Sequence, residues 1–141
     1  MKRLGLAVAL LASAVAAAAT ASAATTTTYH GIFSGPVVYK GCTTTPPAAI
    51  ASGTWSVALH GTADATIAVD IFVNGAHHVS FGGTYPQVAP EKKQAFAVAI
   101  PTLAGPLTIS LTGDTFSYVI APYDYFGITC RSVTYSGTLT G

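Results

Sequence analysis

Charge is what this sequence has least of: only 8% of its residues are Asp, Glu, Lys or Arg, roughly a third of the usual share. The six basic and five acidic residues nearly cancel. Such a surface gives no electrostatic footing for nucleic acid or for an anionic membrane. Thiols are equally scarce, with Cys42 and Cys130 the only two, which leaves no paired cysteine cluster to hold a metal. Beyond residue 23 there is no apolar run of about 18 residues, so no stable membrane insertion is expected once the amino-terminal segment is removed. No stretch of ten or more residues in that part combines a 3.6-residue apolar period with helix formers and a capping box, so almost no helix is expected.

Enzyme motifs are missing as well. There is no G-x-S-x-G elbow, no H-E-x-x-H and no glycine loop of the phosphate-cradling kind. Two-carboxylate glycosidase chemistry would have to draw on five acids, and Asp64, Glu91 and Asp114 fall in expected turns, where such residues usually bond nearby backbone. No catalytic residue, metal ligand or cofactor is assigned from the sequence. The small secreted hydrolase stays as an alternative to a non-enzymatic role.

What is present begins with an export signal. Lys2 and Arg3 precede an uncharged Leu- and Ala-rich run from Leu4 to Ala19, followed by Ala21-Ser22-Ala23, the three-part pattern of a secretory signal peptide. Cleavage after Ala23 leaves 118 residues with four Lys and Arg against five Asp and Glu, a net charge of −1. That is the size of one domain. The expected organisation is a signal over 1–23, an unordered Thr-rich leader over 24–28 and a single domain over 29–141. Its expected destination is extracellular space, cell wall or periplasm. In such an oxidising compartment Cys42 and Cys130 are expected to pair, tying the first strand region to the last; oxidised sulfur is also no nucleophile.

Alternating apolar positions recur six times: Trp55, Val57, Leu59; Ile67, Val69, Ile71; Val79, Phe81; Phe96, Val98, Ile100; Leu107, Ile109, Leu111; and Phe116, Tyr118, Ile120. Small and hydroxylated residues occupy most positions between them, so each segment predicts a strand with one buried face. Gly113-Asp114 as a two-residue type II′ turn pairs Leu111 with Phe116, Ile109 with Tyr118 and Leu107 with Ile120. At Asn74-Gly75, a three-residue loop, Val73-Asn74-Gly75, with Gly75 in a bulge, pairs Val69 with Val79 and Ile67 with Phe81. Longer loops are expected over 61–65, 86–93 and 101–106, and the Cys42 to Pro47 segment reads as a loop through its adjacent prolines. With a first strand near 29–39 and a last near 128–139, about eight strands form an antiparallel meander. It closes as an up-and-down barrel or flattens into a β-sandwich. The barrel is preferred because closure removes edges that so few charges could protect.

Gly53-Thr54-Trp55, followed by an alternating strand, resembles the Gly-x-Trp start of lipocalin- and avidin-like barrels. It lies on the second expected strand here and on the first in those families, so no ligand is carried over. Trp55 shares its face with Val57 and Leu59 and reads as core. His77 and His78, as strand neighbours, face opposite sides and cannot easily share one ion. The expected register sets His78 across from Asp70 and turns His77 inward, which favours a cross-strand Asp70–His78 pair over zinc.

The candidate ligand site is Tyr123, Asp124 and Tyr125, in the segment from Pro122 to Gly127. Two phenols there can stack on a sugar or partner ring while Asp124 accepts hydrogen bonds from hydroxyls. The competing expectation is that these rings plug one end of the barrel, with Asp124 bonding its own loop. The function expected is a secreted binding or structural domain whose partner is a small molecule, glycan or protein. Self-association stays open.

Overall fold

A computed structural model describes residues 25–91 and 93–141; the expected signal sequence lies outside them. The chain forms β1 (Thr26–Pro36), β2 (Val38–Lys40), β3 (Ile50–His60), β4 (Asp64–Val73), β5 (Ala76–Pro86) and β6 (Gln94–Thr102). It continues with β7 (Gly105–Thr112), β8 (Thr115–Ile120), β9 (Tyr123–Tyr125), β10 (Ile128–Cys130) and β11 (Ser132–Leu139). No helix occurs among the described residues.

Eight of these strands make a nearly closed antiparallel barrel in the order β1-β3-β4-β5-β6-β7-β8-β11, with β11 returning to β1. The seam lies between β5 and β6. A single bridge, Gln87 to Val98, joins them at one end, reinforced where the Val88 N–H donates to the Ala97 carbonyl at 2.9 Å. Gln87 also donates through Nε2 to the carbonyls of Gly61 and Asp64, at 3.1 and 3.0 Å, and so locks that end to the β3–β4 turn. Toward the other end no β5–β6 pairing is formed among the described residues. The barrel, and not the flattened sandwich, is the architecture.

Alternation places the apolar side chains inside, as the pattern requires. The largest fully buried groups include Trp55, Phe33, Phe96 and Phe116. Trp55, 2% exposed, stacks on Phe116 with centroids 4.2 Å apart and planes 12° from parallel. The β7–β8 register follows the expectation in all three pairs, Leu111 with Phe116, Ile109 with Tyr118 and Leu107 with Ile120. The disulfide Cys42–Cys130 is formed and joins the loop after β2 to the end of β10.

The structure corrects several boundaries. β1 begins at Thr26, within the expected unordered leader, and Thr26 to Thr28 pair with His60 to Ala58; β-branched threonines suit a strand, and β3 is long enough to supply partners. The expected loops at 61–65 and 101–106 are tight turns. Strand pairing there runs to His60↔Asp64 and to Thr102↔Gly105.

The β4–β5 hairpin differs more. Its loop has two residues, Asn74 and Gly75, with φ of 51° and 82°, the left-handed pair that Asn-Gly adopts readily in a type I′ turn. The extra residue needed to keep apolar faces together sits in the strand instead, as a bulge: Phe72 pairs with His77 and Ile71 with Val79. The inward pairs are therefore Ile71–Val79 and Val69–Phe81, not Val69–Val79 and Ile67–Phe81. Asp70 stands across from Ser80, and it is His77, not His78, that lies 3.4 Å from its carboxylate.

Candidate functional site

At the barrel end away from the Gln87 bridge, the splayed seam opens into a cavity of about 280 Å³. Its deep walls are the buried Tyr118, Ile120 and Tyr135. Its rim comes from four places: His78 and Val79 of β5, Thr102 of β6, Leu103 and Ala104 of the β6–β7 turn, and Tyr123 and Tyr125 of β9.

Each wall has a local cause. The β5 bulge leaves His78 as the unpaired residue, so it and its neighbour Val79 both reach the cavity, the re-aiming that bulges produce. The cost of closing a barrel end with a short hairpin is met by the cross-links around it. β9 and β10 pair Tyr123 with Cys130 and Tyr125 with Ile128, and the disulfide fixes the hairpin's base. The Asp124 N–H donates to the Ala104 carbonyl at 2.8 Å, fastening β9 to the β6–β7 turn. At the hairpin tip Phe126 takes a φ of 50°, a conformation that costs a bulky L-residue about 1–2 kcal/mol. The rim residues Leu103 and Tyr125 are 95% and 41% exposed, and the tip residue Phe126, beside Tyr125, is 85% exposed.

Polar groups in the walls are few. The Tyr135 hydroxyl shares a 3.0 Å hydrogen bond with His78 Nε2, and Tyr118 packs edge-on against Tyr135, centroids 5.4 Å apart at 90°. Burial pushes the Tyr118 phenol up to about 12. Tyr135 is raised too, first by burial and then by the neighbouring Tyr39, Tyr123 and Tyr118. Tyr123 is raised by burial, Tyr39 and Tyr125. His78 is lowered, first by burial and then by His77. The raised phenols and the lowered imidazole favour neutral forms in the walls, and among the described residues no Asp, Glu, Lys or Arg lines them.

Of the three residues singled out in the sequence, the structure brings Tyr123 and Tyr125 to the cavity and leaves Asp124 outside it. Strand alternation turns Asp124 the other way, where its Oδ1 accepts from Thr129 Oγ1 at 3.4 Å. Tyr118, Tyr135 and His78 were not foreseen as lining residues. Tyr118 carried a signal, a polar-tipped ring on an otherwise apolar face; His78 carried none, since its aim depends on where the bulge falls. Among the described residues no group of three or more His, Cys, Asp or Glu could hold a metal ion, and no helix is long and apolar enough to cross a membrane.

Compared with known proteins, the chain matches no family model, no curated protein and no solved structure.

Proposed function

We propose that this chain is a secreted, non-enzymatic binding domain that takes a small uncharged ligand at its tyrosine-lined barrel mouth. One observation carries the reading: a cavity at the open end of a rigid barrel, walled by aromatic and aliphatic groups, with a few hydrogen-bonding atoms and no charged side chain. That is the general composition of a small-molecule site. A charged ligand would lose its hydration there without meeting an opposite charge. The disulfide and the signal-like amino terminus both support an oxidising, exported setting.

The test is chemical-shift mapping of the labelled protein against a panel of uncharged fragments and simple sugars. The expected result is saturable shifts confined to His78, Tyr118, Tyr123, Tyr125 and Tyr135. Shifts scattered over the barrel surface, or none, would remove the reading.

A second reading, an assembly role, is favoured by the open seam. β5 pairs only with β4 along its length and carries no Lys, Arg, Asp or Glu to guard its free edge, and such an edge invites pairing with another strand. Light scattering on purified protein separates the two: a concentration-dependent dimer abolished by Ser80→Pro supports assembly, and a monomer at all concentrations removes it.

A further inference from the structure

We infer that the cavity accepts a single-ring compound bearing one uncharged hydroxyl, of the phenol or cyclic-alcohol class, with Tyr135 as the residue that recognises the hydroxyl and His78 as its positioning residue. The inference rests on the reading of the cavity as a binding site and narrows it to a ligand class.

Size comes first. At about 280 Å³ the space falls just under the range of roughly 300–1,000 Å³ that houses drug-sized ligands, and it suits one substituted ring. Shape comes next. Tyr118 and Tyr135 meet at a right angle, so a ring lying against one of them is presented edge-on to the other, the arrangement aromatic pairs favour. Val79, Ile120 and Ala104 complete a wall that offers carbon and no partner for a polar substituent.

Tyr118, Tyr123, Tyr125 and Thr102 also line the cavity, but the Tyr135 phenol is held in place by a hydrogen bond to a second lining side chain, His78. A phenolic hydroxyl has one proton and two lone pairs, and the bond to His78 uses one of these. If the imidazole accepts, Tyr135 keeps lone pairs and can receive a hydrogen bond; if the imidazole donates, Tyr135 keeps its proton and can give one. A ligand hydroxyl, being both donor and acceptor, satisfies either tautomer. A carbonyl satisfies one only. A sugar, with a hydroxyl on nearly every ring carbon, would press some of them against Val79, Ile120 and Ala104, where they lose water without replacement. A hydrocarbon ring would leave the buried Tyr135 hydroxyl with capacity unfilled, a loss that converts to about tenfold in affinity.

The fold supplies the aim. Without the bulge between Ile71 and Phe72, His78 would turn to the opposite face of β5, and Tyr135 would have no partner to fix the rotation of its O–H. The bulge therefore places the one side chain that orients the recognising group.

The experiment compares p-cresol with toluene, followed by chemical shifts of the cavity residues, in the wild type and in Tyr135→Phe, His78→Leu and His78→Gln. The expected result is that the wild type binds p-cresol about tenfold or more tightly than toluene. Tyr135→Phe, which keeps the ring, abolishes that preference while toluene binding stays within about twofold. His78→Leu weakens the preference, and His78→Gln, which can still hydrogen-bond the phenol, restores most of it. Equal binding of both probes by the wild type, or a preference unchanged in Tyr135→Phe, overturns the inference and leaves the cavity reading standing. Binding of simple sugars alone at the same residues overturns the ligand class. Binding of nothing at these residues overturns both.

Discussion

The indole of Trp55 occupies the space that a side chain on Gly137 would need: a Cβ there would stand 2.9 Å from Trp55 Nε1 and 2.8 Å from the Ile32 carbonyl oxygen. Gly31 faces the same ring from β1. A Cβ on it would meet the indole at 2.7 Å and overlap the carbonyl oxygen of Thr138. The two glycines thus let one large ring lie flat across neighbouring strands and stack on Phe116.

From this packing, Gly137→Ala and Gly31→Ala are each expected to cost about 1–3 kcal/mol, with Gly31 at the upper end or beyond because its Cβ overlaps a backbone oxygen outright, whereas the backbone oxygen facing Gly137 stands 2.8 Å away. Denaturant midpoints measure it. A change of less than about 0.5 kcal/mol, the size of an ordinary surface substitution, would contradict the packing described.

The disulfide closes a loop of 88 residues and anchors the β9–β10 hairpin. In the loop-entropy account its loss costs roughly 4–5 kcal/mol. Reduction, or the double change Cys42→Ser and Cys130→Ser, is expected to lower the melting temperature and to raise hydrogen exchange first at Asp124, whose N–H holds the hairpin to Ala104. Quantitative alkylation of both thiols without denaturant or reductant would show that the bond is absent.

How much of this was legible beforehand can be seen hairpin by hairpin. Period-two alternation established which residues face inward, and Gly113-Asp114 set the β7–β8 register because turn type and apolar parity agreed there. At Asn74-Gly75 they disagreed by one residue. Parity demanded an extra residue but could not say whether it belonged in the turn or the strand, and the strand bulge chosen by the fold exchanges the roles of His77 and His78. The candidate site divides for the same reason. Tyr123 and Tyr125 are legible as a pair through their spacing of two, which also places Asp124 on the other side. Tyr135 joins them only because β11 lies beside β8 in the closed barrel, a long-range pairing that no local pattern carries.

Protonation of His78 offers a pH test. Burial and then His77 hold its folded-state pKa below the ordinary imidazole value, so on acidification the unfolded chain takes up the proton first. The contribution to stability is complete above the unfolded-state value of about 6.5 and is lost as pH falls from there toward the lower folded value. His78→Gln is expected to show a flatter decline in denaturant midpoint between about pH 7 and pH 5 than the wild type. Parallel declines would mean that His78 titrates as it does in the unfolded chain.

The central claim, that the mouth rings form a binding surface and not a plug, is tested most directly by the double variant Tyr123→Ala/Tyr125→Ala, with uncharged-fragment binding and thermal stability measured on the same sample. Tyr125 is 41% exposed and Tyr123 only partly buried, whereas truncating a core aromatic costs about 3–5 kcal/mol. The account predicts a variant that stays folded, melts within a few degrees of the wild type and no longer shifts at Tyr118 and Tyr135 when fragments are added. A variant that loses most of its thermal stability, or one that binds the fragments as well as the wild type does, would contradict it.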